Sequence, residues 1–181
     1  MSLERLKFDR QAARVRRCHT KPYIEEYRIG GHTHNVVSML AIAWQDQFGE
    51  LPRAELLLAA QAHDKGELVT GDIPSPVKDL LGERAEEVDS RVERFLFGRL
   101  DLTDTETAFL MAADRFELWL WCWDELELGN EGVRDWMEGY ERKWEAEPLP
   151  SPFSLWFNEV RETRGLGQYT AEEVMVIGGL K

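Results

Sequence analysis

Cysteine is scarce in this 181-residue chain: only Cys18 and Cys122 are present. Two thiols make no disulfide framework, so the default setting is a reducing cytoplasm. No stretch approaches the roughly 18 consecutive apolar residues of a membrane span. The opening "MSLERLKFDRQAARVRR" lacks the apolar segment of a secretory signal, and acids interrupt its arginines, unlike a transit peptide. Positive charge is also short, with 22 Lys and Arg against 34 Asp and Glu and a formal net charge of −12. That balance disfavours nucleic acid as a partner, because condensed phosphates would be repelled. It leaves open a small nucleotide held by a local cluster of Arg and Lys. Internal repeats, low-complexity tracts and alternating strand patterns are lacking too.

What is present is helical periodicity and an ordinary globular balance, 43% hydrophobic and 31% charged. The length suits one domain with a real core. Residues 3–17 carry a mixed helical pattern, and residues 18–31 read as a loop broken by Pro22 and Gly30–Gly31. Val36, Val37, Leu40, Ala43 and Trp44 recur at helical spacing over residues 32–48, and Gly49 stops that run. A new helix follows, with Pro52 in its first turn. Residues 83–99 form an amphipathic helix. A long one follows Thr103 or Asp104 as cap, and two more cover 131–147 and 152–164. The tail "TAEEVMVIGG" reads as either a short helix or a strand. The fold class is all-α, a single helical bundle over 1–181.

Ionisable groups crowd one stretch, "AAQAHDKGELVTGDIPSPVKD". His63 and Asp64 are adjacent, and on a helix they would point ~100° apart. At a helix end both can reach one ion. Alone, the ordinary reading is a polar helix terminus before Gly66. Asp114 changes the balance. Its helical neighbours are Leu110, Met111, Glu117 and Leu118, and a carboxylate on so apolar a stripe is costly unless paired, with Arg115 for example, or metal-bound. A further ligand comes from His32 or His34. His32 shares a face with Val36, Leu40 and Ala43, and His34 with polar Ser38 and Gln45, so His32 is the better ligand, and His34 is expected to reach the pocket mouth and bind substrate. His32, His63, Asp64 and Asp114, from three helices, suit one divalent transition ion per chain: Co, Mn, Zn, Fe or Ni. Such coordination lowers the pKa of water from about 15.7 to about 7 in favourable zinc sites.

At these residues the chain resembles the HD-domain metal-dependent phosphohydrolases. "HDKGELVTGDIPSPVK" resembles the HD-xx-E-xx-TGD-x-P-x-PxK signature of bacterial HD-domain 5′-deoxynucleotidases and of related phage enzymes that strip triphosphate from dATP. "RRCHTKP … YRIGGHTHNVV" and "MAADRFE" resemble their flanking segments, so the motif core covers about 14–120, with C-terminal helices over 130–181. The resemblance implies the same four ligands. It assigns Glu67 and Asp72 as catalytic acids, Glu67 assisting the attacking water. It places Arg17 and Lys78 on phosphate, whose oxygens suit both. Cys18 stands where the family has tryptophan, in the nucleoside pocket. Gly31 replaces a common glutamate, and Lys65 stands where small residues are common.

The implied activity is phosphate release from deoxyribonucleoside 5′-monophosphates, in the cytoplasm of a bacterial or phage-infected cell. The alternative is a deoxynucleoside triphosphate triphosphohydrolase, whose basic funnel would use Arg16, Arg17, Lys21, Lys65 and Lys78. A non-enzymatic nucleotide-sensing module is the third reading. Trp119, Trp121 and Trp123 cannot all face one way on a helix. One face suits the core, and another suits the C-terminal helices or, preferably, a second copy in a homodimer or higher homo-oligomer.

Overall fold

The longest run of helical periodicity becomes the longest helix. The computed structural model describes residues 2–167 and 170–177. Its elements are α1 (Ser2–Ala12), α2 (Ile29–Phe48), α3 (Ala54–Ala62), α4 (Glu67–Thr70), α5 (Ser75–Leu81), α6 (Glu83–Phe97), α7 (Asp104–Glu127), a 3₁₀ turn (Glu131–Val133), α8 (Arg134–Ala146), α9 (Phe153–Thr163) and α10 (Ala171–Ile177). The all-α class holds, with no strand among the described residues. No helix among them is long and apolar enough to cross a membrane.

α7 begins where its capping chemistry dictates. The Thr103 hydroxyl accepts from the Glu106 amide at 3.3 Å, and the Glu106 carboxylate accepts from the Thr103 amide at 2.8 Å. Such a capping box satisfies two orphan donors, and losing the cap costs about 1 kcal/mol. Arg53 Nη2 donates to Glu106 at 2.8 Å and so ties the start of α3 to the start of α7. α3 itself starts at Ala54 with Arg53 as N-cap, so Pro52 precedes the helix rather than entering its first turn. α2 stops at Gly49, whose φ of 75° lets its amide turn back to the Gln45 carbonyl at 2.8 Å.

Two further sequence expectations shift. Gly30 and Gly31 lie inside the first turn of α2 and do not break it. Gly30 is needed for close approach: a Cβ there would sit 2.9 Å from the Ala13 carbonyl oxygen. The tail helix α10 settles the helix-or-strand alternative as helix over Ala171–Ile177, while Gly178 and Gly179 lie outside the described residues.

The core forms between α2 and α7, where Val36, Leu40 and Ala43 meet Phe109, Ala113 and Phe116. α8 and α9 extend it over the C-terminal half of α7. Trp119 is fully buried there, with ring centroids 5.8 Å from Trp144 and 5.2 Å from Phe157. Trp121 turns the other way and stacks on Tyr27 at 4.7 Å, and Trp123 meets Trp119 edge-on at 6.0 Å. All three tryptophans thus make ring contacts within the chain. Truncating Trp119 would cost about 3–5 kcal/mol. Glu125, a residue that looks solvated in the sequence, is wholly buried. Its carboxylate accepts from the Ile24 and Glu25 amides, both at 2.8 Å, and from Asn130 Nδ2 at 2.6 Å. This fastens the loop before α2 to the far end of α7.

Candidate metal centre and the cavity beside it

Three helices aim their side chains at one point. His32 sits on the core-facing side of α2. His63 caps α3, and Asp64 follows as the chain turns, its carbonyl accepting from the Glu67 amide at 3.1 Å. Because α3 ends there, the two neighbours escape the ~100° divergence of an unbroken helix. Asp114 arrives from α7. The Nε2 atoms of His32 and His63 lie 3.0 Å apart. Asp64 Oδ2 is 3.2 Å from each, and Asp114 Oδ1 is 3.1 Å from His32 and 3.6 Å from His63. One ligand atom from each of the four falls within 4.8 Å of all the others. Asp114 pairs with these histidines, not with Arg115.

The tautomers suit a cation. His32 Nδ1 lies 2.5 Å from Glu117 Oε2, and His63 Nδ1 lies 2.8 Å from the Ala60 carbonyl oxygen. Each acceptor suits an Nδ1–H, so the neutral rings would turn their Nε2 lone pairs inward, the outer-sphere arrangement that sets metal-binding imidazoles. Two Nε2 atoms between two carboxylates call for positive charge, carried by ring protons in the metal-free chain and replaceable by a cation. The electrostatics agree. Burial and the nearby Arg17 charge oppose protonation of His32, yet the hydrogen bonds it donates to Asp114, Asp64 and Glu117 push it up to about 9. Burial opposes ionisation of Asp64, but Arg17 and His63 hold it well below the usual carboxylate range. Asp64 Oδ2 is buried without a well-aligned hydrogen bond. The donor set of two nitrogens and two oxygens fits a divalent transition ion.

Glu117 is the residue that sequence reasoning passed over. Buried on α7, it also accepts from Asn35 Nδ2 at 3.0 Å and from the Tyr27 hydroxyl. Its signal was its spacing, one turn beyond Asp114 on the same face.

A cavity of about 610 Å³ opens beside the cluster, within the usual range for small-molecule sites. Arg17, Cys18, Asp72 and Lys78 line it. Arg17 Nη2 lies 2.9 Å from Asp64 Oδ2, while its Nε and Nη1 are buried without a hydrogen-bond partner. Asp72 Oδ2 accepts from the Cys18 amide at 2.6 Å and lies 3.4 Å from His19 Nδ1. That grip holds Cys18 at a φ of 55°, in the left-handed region that costs a non-glycine residue energy. Glu67 starts α4 and is buried, its Oε1 3.7 Å from Lys78 Nζ, and neither oxygen accepts a hydrogen bond. Burial first, then the Asp64 charge, raises its pKa to about 8.

Other expected positions fall elsewhere. His34 is exposed and does not line the cavity. Of the supposed basic funnel, Lys65 is buried facing Asp9 of α1 at 3.0 Å, and Arg16 pairs with Glu26. Lys21 does line the cavity, joined by Lys143, which the sequence did not suggest.

The comparisons with known proteins follow this geometry. A 5′-deoxynucleotidase from Vibrio cholerae is 32% identical over 114 residues, covering 52% of this chain and 59% of that enzyme. The chain thus spans well under two thirds of that relative's length. No family model matches. Two solved structures share the fold: the PH0347 protein from Pyrococcus horikoshii, with a TM-score of 0.65 and 17% identity, and a conserved hypothetical protein from Pyrococcus furiosus, with 0.66 and 18%. Each match covers 90% of this chain and 98% of the other.

Proposed function

We propose that this chain is a metal-dependent nucleotide phosphohydrolase that releases phosphate from deoxyribonucleoside 5′-monophosphates. One observation carries the reading. Buried Arg17 donors and a buried Glu67 carboxylate, all without hydrogen-bond partners, adjoin a His–Asp cluster with convergent ligand atoms, beside a nucleotide-sized cavity. The 5′-deoxynucleotidase similarity supports it.

His32, His63, Asp64 and Asp114 would hold the ion. When bound, it supplies charge to the phosphate oxygens and acidifies water. The protein's own groups do the rest. Arg17 and Lys78 bind phosphate oxygens and neutralise the charge that grows as the P–O bond breaks. Glu67 takes the proton of the attacking water as the new P–O bond forms. The departing 5′-oxygen takes a proton from solvent water, or the one Glu67 has accepted, leaving deoxynucleoside and inorganic phosphate. Asp72 holds the Cys18 turn and so fixes Arg17 next door.

The triphosphate alternative loses two of its basic residues, since Lys65 and Arg16 are engaged elsewhere. The test is a panel of NMPs, dNMPs and dNTPs with added Co²⁺ or Mn²⁺. Phosphate from dNMPs is expected. Tripolyphosphate from dNTPs would move the assignment to the alternative, and no product from any nucleotide would overturn both.

A further inference from the structure

The cavity has one aromatic wall, and it belongs to α8. Trp136, Gly139, Tyr140 and Lys143 follow at i, i+3, i+4 and i+7, a single helical face, and all four line the cavity. The next face of the same helix buries Met137 and Trp144 in the core. α8 therefore shows two apolar faces, one spent on folding and one turned to the cavity. The wall opposite, with Arg17, Cys18, Thr20, Ile73 and Pro74, carries no ring; Trp136 and Tyr140 are the only aromatic residues lining the cavity among the described residues.

Gly139 makes this face unusual. It sits inside a helix, where glycine is disfavoured for its backbone freedom. Packing does not require it, since a Cβ built there meets nothing within 4 Å. Nor does backbone conformation, since it is not among the positive-φ residues. What a side chain would take up is cavity space between Trp136 and Tyr140. Trp136 is also held in place: Lys21 Nζ lies 5.3 Å from its ring centroid, and Asp135 anchors that Lys21 at 3.1 Å. The Tyr140 hydroxyl and the Lys143 ammonium have no hydrogen-bond or ion-pair partner among the described residues. A planar apolar heterocycle with polar edges matches this wall.

We propose that the Trp136–Gly139–Tyr140 face of α8 is the nucleobase subsite, with the base lying over the Gly139 gap and the phosphate at Arg17. This rests on the nucleotide reading above, and it supplies the aromatic surface that Cys18 does not. Stacking of a base on an aromatic side chain is worth roughly 10- to 100-fold in affinity.

The experiment uses the full chain loaded with Co²⁺ and two variants, Trp136→Ala and Gly139→Leu. Leucine favours a helix over glycine, so Gly139→Leu should fold at least as well as wild type, checked by circular dichroism and Tm. For dNMPs, KM should rise at least ~10-fold in each variant with kcat within about 3-fold, the pattern of lost uniform binding. Calorimetric binding of the free deoxynucleosides should weaken in parallel. Glu138→Ala, on the exposed face of α8, should change neither. Hydrolysis of dNMPs with both variants at wild-type KM would overturn the subsite and leave the activity standing. Deoxynucleoside binding that depends on α8 without any hydrolysis would keep the subsite and overturn the activity. Failure of every nucleoside and nucleotide to bind or react would overturn both.

Discussion

Glu117 grips His32 by its Nδ1 atom at 2.5 Å, and so fixes which nitrogen of His32 meets His63 across the 3.0 Å gap between their Nε2 atoms. The metal-competent geometry is thus set one layer behind the ligands. Glu117→Gln should lower affinity for Co²⁺ or Zn²⁺ by about 10- to 100-fold, the usual cost of losing an outer-sphere carboxylate. Metal titration by calorimetry reads this directly. Wild-type affinity would show that Glu117 only fills space.

Metal uptake itself should reach about one divalent ion per chain by elemental analysis. Excess metal should raise Tm, since a ligand at 1,000 times its Kd stabilises by about 4 kcal/mol. Asp64→Ala and His32→Ala should lose both the ion and the Tm gain. His34→Ala, at an exposed position, should keep both and change stability by no more than about 0.5 kcal/mol. The opposite pattern for the two histidines would refute the ligand set.

Glu67 predicts a trade between stability and rate. Burial and Asp64 raise its pKa to about 8, above its unfolded value near 4.5. A carboxyl raised in the folded state favours folding while protonated, and that contribution is lost as pH rises from about 4.5 through about 8. In chelated protein, Glu67→Gln should therefore raise Tm at pH 8 and above, by roughly 2–10 °C for about 1–3 kcal/mol, with little change at pH 4. In metal-loaded protein the same variant should retain its ion and lose about 10²–10⁴-fold in kcat. Normal turnover at normal metal content would remove Glu67 from the chemistry.

Lys65 is almost wholly buried against Asp9, so it should behave unlike a surface lysine. Lys65→Ala should cost about 1–3 kcal/mol in urea denaturation, below the full buried-pair scale because Asp9 keeps part of its hydration. A double-mutant cycle with Asp9→Ala should give a coupling of about 1 kcal/mol or more, above the range of exposed pairs. Additive effects would show that the two groups do not interact.

The four-residue cluster was legible in the sequence because helical period sorts faces. Three-and-four spacing put His32, not His34, on the side of Val36, Leu40 and Ala43, and placed Asp114 on an apolar stripe. Glu117 obeyed the same rule and was within reach of it. Lys65 was not legible, because the chain leaves α3 just before it and its direction follows from how α1 docks. The glycines misled for a similar reason. Gly30 marks a close approach to Ala13, far back in the chain, and the residue type alone reads as a breaker. The α8 wall was hidden because docking of two distant segments, not any local pattern, brings Trp136 and Tyr140 opposite Arg17.

α7 carries Glu106 at its cap, Asp114 at the ion cluster, Glu117 behind His32 and Glu125 at the loop that leads back toward Arg17. Those functions share one rod, so their relative positions are fixed by residue count. Inserting or deleting a single residue between Asp114 and Glu125 would turn one against the other by ~100° and shift it ~1.5 Å along the axis. No side-chain repacking restores that. Length variation in this molecule belongs in its loops, such as the connection between α8 and α9, while the span of α7 between those two carboxylates admits substitution but no gap.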